Sequence, residues 1–243
     1  MAKIPEKPED IFSELTDDYK QTFGADLISL ILYGSGASGH YVAGKSDLNF
    51  LVVLTEKGID ELEKAFDVVA KWKKRRVAIP LMMTKAYIRS SVDAYPVEIL
   101  NLSLHHVLVF GEDVLNGLTV RRECLQLQLE RELRSKLLLL RQGFLSTEGK
   151  EKPIRNLIRV SLTAFLSAFN GLLYLKGIEI PRDRSALVTA VEEAFAIDKA
   201  LFHQCLEIRK EHDHFEKKEI SLIFHGYVQE IAKLCDEVDE IKI

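Results

Sequence analysis

The sequence predicts an α/β (α+β) unit built on a mixed sheet, followed by an all-α helical bundle. Two observations carry this reading. Over residues 1–118 short β-like apolar runs alternate with helical stretches, the pattern of a sheet covered by helices. Over residues 119–243 the strand signal vanishes and apolar residues recur at three- and four-residue spacing, as in a bundle. Composition agrees with both. With 47% hydrophobic and 29% charged residues among 243, the chain reads as an ordinary globular protein.

The elements follow in chain order. A helix is expected over 8–23. The run Leu27-Ile28-Ser29-Leu30-Ile31-Leu32-Tyr33 is a strand that stops at Gly34, and 48–54 is a second. A helix over 59–74 separates them from a strand at 77–83, which Pro80 marks as an edge strand because proline cannot donate to a ladder. A fourth strand is read at 97–102 and a fifth at 107–110. Beyond residue 118, helices are expected over 121–144, 153–175, 184–195, 199–215 and 219–241. Pro153 stands at a helix start and Gly177 past a helix end, where each belongs, and Asp183 is placed to cap the helix after it.

Charge and cysteines narrow the function classes. Lys and Arg total 33 and Asp and Glu total 37, a net charge of −4. That balance argues against a nucleic-acid partner and against a polybasic membrane binder, which both need a strong positive field. No apolar run approaches the roughly 18–20 residues that span a bilayer. The three cysteines are widely spaced, without a CxxC pair, which predicts a reducing, cytoplasmic compartment and no structural zinc.

The stretch with chemical content is Leu30-Ile31-Leu32-Tyr33-Gly34-Ser35-Gly36, followed by Lys45-Ser46-Asp47-Leu48-Asn49-Phe50. Gly34 lets backbone approach a ligand closely, and amides at the start of the following turn can hold phosphate oxygens. Ser35 adds a hydroxyl to that cradle. Asp47 and Asn49 are two apart on an extended segment, so their side chains leave the same face. Two oxygen ligands beside a phosphate cradle suit a divalent cation held jointly by protein and triphosphate.

This segment resembles the nucleotidyltransferase superfamily related to DNA polymerase β, of the minimal or aminoglycoside nucleotidyltransferase type. The family pattern is a strand, Gly-Ser, about a dozen residues, an Asp-x-Asp on the next strand and a third carboxylate on a later one. Gly34-Ser35 and Asp47 match that pattern at its interval, and Glu98, in Tyr95-Pro96-Val97-Glu98-Ile99-Leu100, is the expected third acid on a strand. The segment from Val109 to Leu115 is similar to the one that closes this domain in bacterial relatives. The resemblance implies Gly34, Ser35 and Asn49 as nucleotide-binding residues. It implies Asp47 and Glu98 as catalytic residues, with Asp47, Asn49 and Glu98 as ligands of Mg²⁺ (or Mn²⁺) brought with an NTP. The implied partners are that NTP and a hydroxyl acceptor, a small molecule or a protein. One departure stands at the centre: the family's second metal-binding Asp is Asn49 here, which keeps a carbonyl oxygen but loses the charge. One ion site survives that exchange better than a pair. The resemblance therefore implies nucleotidyl transfer, or else a weakened relative acting as a nucleotide-binding or protein-interaction module.

The helical half resembles the HEPN-type bundle that accompanies such domains, on Leu173-Tyr174-Leu175-Lys176-Gly177, Ile208-Arg209-Lys210-Glu211-His212-Asp213-His214 and the final helix. In ribonuclease members of that group an Arg and a His a few residues later form the site, and Arg209 and His214 have that spacing. Other features have plainer readings. Lys71-Trp72-Lys73-Lys74-Arg75-Arg76 reads as a solvated helix end, with RNA contact as the alternative. His105-His106 and His212-Asp213-His214 read as surface residues before metal ligands. Leu137 to Leu140 suggests burial on several faces, or a homodimer seam through the helical domain.

Overall fold

The computed structural model describes residues 3–210 and 214–242. They form two compact units. The first runs through Ala94 and resumes over Glu98–Thr119; the second takes Tyr95–Val97 and the chain from Val120 onward.

The first unit contains α1 (Phe12–Phe23), β1 (Leu27–Tyr33), β2 (Asn49–Leu54), α2 (Glu56–Asp60), α3 (Phe66–Lys73), β3 (Leu81–Thr84), α4 (Lys85–Ser91), α5 (Pro96–Leu104, begun in the second unit's residues) and β4 (His106–Gly111). Among the described residues the strands make a four-stranded mixed sheet ordered β3-β2-β1-β4. β1 is antiparallel to both neighbours, and β2 and β3 are parallel. Alternation along the strands sorts the two faces. Leu30 and Leu32 of β1 and Phe50, Val52 and Leu54 of β2 join Leu15, Tyr19 and Trp72 in one buried cluster. Burial, with Asp18 adding to it, pushes the Tyr19 hydroxyl up to about 12. Tyr33 and Asn49 point to the other face, which Ile31, Leu51 and Val53 share and where they are fully buried, while Tyr33 and Asn49 at the sheet end are partly exposed.

Three expectations are corrected. The run 97–102 is helix, not strand. Pro96 occupies the first helical position, where its missing N–H costs nothing, and a short apolar run fits a buried helix as well as a strand. The helix expected over 59–74 is broken: Thr55 caps α2 by accepting from the Gly58 N–H at 3.1 Å, and a 3-10 turn over 62–65 precedes α3. The strand expected at 77–83 forms only from Leu81, while Val77 makes an isolated parallel bridge to Leu48. As Pro80 predicted, β3 lies at the sheet edge. Gly111, which ends β4, is required there: at φ +84° a Cβ would lie 1.9 Å from the Ile28 carbonyl oxygen.

The second unit packs α6 (Arg122–Ser146), α7 (Glu151–Lys176), α8 (Arg184–Ala194), α9 (Lys199–Lys210) and α10 (Lys217–Asp239) into a bundle. The Asp183 carboxylate caps α8, accepting from the Ser185 and Ala186 amides at 2.9 Å each. α7 is long and apolar enough by composition to cross a membrane, the one such helix among the described residues. Its apolar face is used otherwise: Ile158, Leu162, Phe165, Phe169 and Leu172 are fully buried within the bundle. The four leucines divide, with Leu137 and Leu140 buried and Leu138 and Leu139 about 60% exposed (60% and 63%). Of the helix expected over 199–215, Lys199–Lys210 is described as helix, and residues 211–213, with His212 and Asp213, lie outside the described residues.

Candidate functional site

The sequence signal at Gly34 becomes a geometry at one end of the sheet. β1 ends at Tyr33, and Gly34–Gly36 form a single 3-10 turn, Gly34 adopting φ +70°. The Ala37 and Ser38 amides close the turn on the Gly34 carbonyl at 3.1 and 3.0 Å. Tyr33 pairs with Asn49 of β2 on one side and with His106 of β4 on the other, so these three residues form one row across the sheet. Burial raises the Tyr33 hydroxyl above its ordinary value. A Cβ built on Gly34 would lie 3.4 Å from the Asn49 side-chain nitrogen. The strand pairing therefore brings Gly34 against the Asn49 side chain, with Ser35 next in the turn. Among the described residues the Asn49 side chain makes no hydrogen bond, and it is partly exposed.

Asp47 stands two residues before Asn49 on the segment entering β2, and its carboxylate is exposed. Its Oδ1 lies 3.1 Å from Nε of Arg76. Arg76 follows α3 in the left-handed region, at φ +62°, an uncommon place for a residue with a side chain. Three contacts tie it to the segment before β2. Its Nη2 donates to the Lys45 carbonyl at 2.8 Å, its own carbonyl accepts from the Leu48 amide at 2.9 Å, and its guanidinium meets Asp47. The Nε–H is buried and points along no acceptor among the described residues, the Asp47 contact being one of charge rather than an aligned hydrogen bond. No sequence signal distinguished Arg76 from the rest of its basic run.

Glu98 lies exposed in the first turn of α5, so the expected third carboxylate is not on a strand. The strand that follows, β4, carries His106 in the Tyr33 row instead. Nε2 of His106 lies 3.0 Å from Asp113 Oδ1, and Nδ1 lies 3.0 Å from the Ser103 carbonyl oxygen. Burial opposes charge on Asp113, but the His106 contact and the Leu115 and Asn116 amides outweigh it and hold the carboxyl below its ordinary value.

The donor chemistry decides what metal the site can take. Among the described residues no group of three or more His, Cys, Asp or Glu side chains is placed to hold a metal ion. Asp47 is the one acid of the Asp47–Asn49 pair, and Arg76 already neutralises it. This set does not fit two divalent ions. It offers a single ion at most the oxygens of Asp47 and of the Asn49 amide, the first already facing Arg76.

No family model matches the chain, and no curated protein sequence matches it. Solved structures do. The spectinomycin adenyltransferase AAD(9) from Enterococcus faecialis, solved with ATP and spectinomycin, superposes with a TM-score of 0.53 over 90% of this chain and 99% of that one, at 12% identity. The fold is that of a nucleotidyltransferase. Within this fold, a Gly-Ser turn at the end of one strand beside the polar start of the next is the feature that sequence and structure share.

The remaining predicted features resolve within their own units. In the nucleotidyltransferase-fold unit the basic run turns onto α1: Trp72 is buried and donates to Asp18 at 2.8 Å, and Lys71 pairs with Glu14 at 3.0 Å. In the helical unit Arg209 donates its Nε to the Thr163 hydroxyl at 3.1 Å, and half-burial with the nearby Arg159 charge lowers its pKa. His214 is exposed, beyond the undescribed residues 211–213.

Proposed function

We propose that the sheet end around Gly34, Ser35 and Asn49 binds the phosphate groups of an NTP, with ATP the first to test. We further propose that the protein passes the nucleoside monophosphate to a hydroxyl group of a small molecule or a protein. The observation that carries this reading is the convergence of the Gly34 turn and the Asn49 side chain at one end of a nucleotidyltransferase-fold sheet. In the transfer, the acceptor oxygen bonds to the α-phosphorus, the bond from that phosphorus to the α–β bridging oxygen breaks, and pyrophosphate leaves. The turn and Asn49 hold the phosphate chain, and Arg76 faces its negative charge. An exposed carboxylate must take the acceptor proton, and Asp47 and Glu98 are the candidates. A divalent ion arriving with the triphosphate would neutralise charge beside Asp47.

A second reading, nucleotide binding without transfer, is favoured by Asn49 and by the Arg76 contact on Asp47. One experiment separates the two. ATP labelled at its α-phosphate is incubated with the protein and a pool of hydroxyl acceptors, following both bound label and released pyrophosphate. Transfer predicts pyrophosphate release that Asp47→Ala abolishes. Full activity in that variant contradicts the transfer reading, and bound label without pyrophosphate supports the second. The three cysteines, none in a disulfide among the described residues, support a reducing, cytoplasmic setting for either. The HEPN-type likeness of the helical unit adds a minor proposal, metal-independent RNA cleavage by Arg209 and His214, which His214→Ala would remove.

A further inference from the structure

The Asp47–Asn49 row has changed its charge, and the structure shows what faces it instead. We propose that Arg76 and Asn49 take over the work of divalent cations at this site, so that nucleotide binding here does not depend on metal. The inference rests on the NTP-binding reading above and deepens it.

An acidic row beside a triphosphate is a repulsive arrangement unless cations sit between the two. Two changes remove that need. At residue 49 an amide replaces the acid, and its nitrogen faces the Gly34 turn, 3.4 Å from the position a Cβ there would take. An N–H at that place donates to a phosphate oxygen, where a carboxylate would repel it. At Asp47 the remaining charge is balanced by Arg76, with Nε 3.1 Å from Oδ1. The pair is neutral as a whole, and the Arg76 side chain is 37% exposed, with its Nε buried and its Nη2 on the Lys45 carbonyl. Guanidinium is a planar fork that binds phosphate through two parallel N–H donors and never loses its proton at physiological pH.

Arg76 is also held where it can serve. Its backbone is fixed by the Leu48 amide and its Nη2 by the Lys45 carbonyl, so the cation is anchored to the strand entry that carries Asp47 and Asn49. Asp47 and Asn49 lie about 6.6 Å apart along extended chain, within the length of a triphosphate. Of the same basic run, Lys71 and Arg75 are engaged with Glu14 on the α1 side.

The test is calorimetric titration of the full chain with ATP, once with EDTA and once with Mg²⁺. The wild type is expected to bind in both conditions, with dissociation constants within about threefold. Arg76→Gln is expected to weaken binding in EDTA at least tenfold, while Arg76→Lys, which keeps the charge, recovers part of that loss. Asn49→Asp leaves Arg76 in place and is expected to make binding depend on Mg²⁺. Circular dichroism on each variant confirms that it is folded. Wild-type binding seen only with Mg²⁺ overturns the inference while leaving the NTP-binding reading intact, and needs no variant. Unchanged affinity of Arg76→Gln in EDTA overturns it as well. No binding of any NTP in either condition overturns both.

Discussion

Arg75 and Arg76 are chain neighbours with the same side chain and opposite surroundings. Arg75 looks toward α1: it donates its Nε to the Lys3 carbonyl at 3.0 Å, pairs with Glu14 at 2.5 Å, and lies 4.6 Å from the Trp72 ring centre. Arg76 looks toward β2 and meets Asp47. What separates them is one backbone rotation, the left-handed φ of Arg76, which reverses the chain after α3. A run of like charges therefore has no single role. Its α1 side closes a core, and its β2 side faces the candidate nucleotide site.

The comparison can be broken from either side. The largest effect is expected at the anchor of the α1 side. Trp72→Ala removes a buried ring and its hydrogen bond to Asp18, and should cost about 3–5 kcal/mol in a urea melt. Loss below about 1 kcal/mol would show that the α1 side does not hold this core. Next comes the turn opposite Asn49. Gly34→Ala places a side chain at φ +70° and should cost about 1–2 kcal/mol of stability while weakening ATP binding. Chemical denaturation and titration on the same variant read both.

Smaller effects sharpen the contrast. Arg75→Ala breaks an exposed pair and a ring contact, and should cost no more than about 1 kcal/mol with ATP affinity unchanged. A drop in affinity matching that of Arg76→Gln would erase the distinction between the two arginines. The smallest effect concerns Asp113. Its pKa is held below the ordinary 3.8, so its stabilising contribution is complete above that value and fades as pH falls through the lowered one. Asp113→Asn should flatten the loss of stability below about pH 4, seen as a shallower acid limb in melting temperature against pH.

Much of this fold was legible because the informative residues act locally. Leu27 to Tyr33 is an apolar run closed by glycine, and it is β1 to the residue. Asp183 and Gly177 mark helix ends through contacts within a few residues of themselves. Residues 97–102 were misread because a short apolar run has no period that separates helix from buried strand, and Pro96 was the only discriminating signal. At the site, the meeting of Gly34 with Asn49 was readable from strand order and spacing. Arg76 was not, because its place depends on a positive φ and a parallel bridge from Val77 to Leu48, both set by tertiary context.

The central claim is that an NTP binds at the Gly34–Ser35 turn beside Asn49, with Arg76 at the β2 entry against Asp47. Amide chemical-shift mapping of the full chain during titration with ATP tests it most directly. The account predicts the largest perturbations at Gly34, Ser35, Asn49 and Arg76, saturating together. Saturation with the perturbed amides clustered elsewhere, or an unchanged spectrum at millimolar ATP, would contradict it.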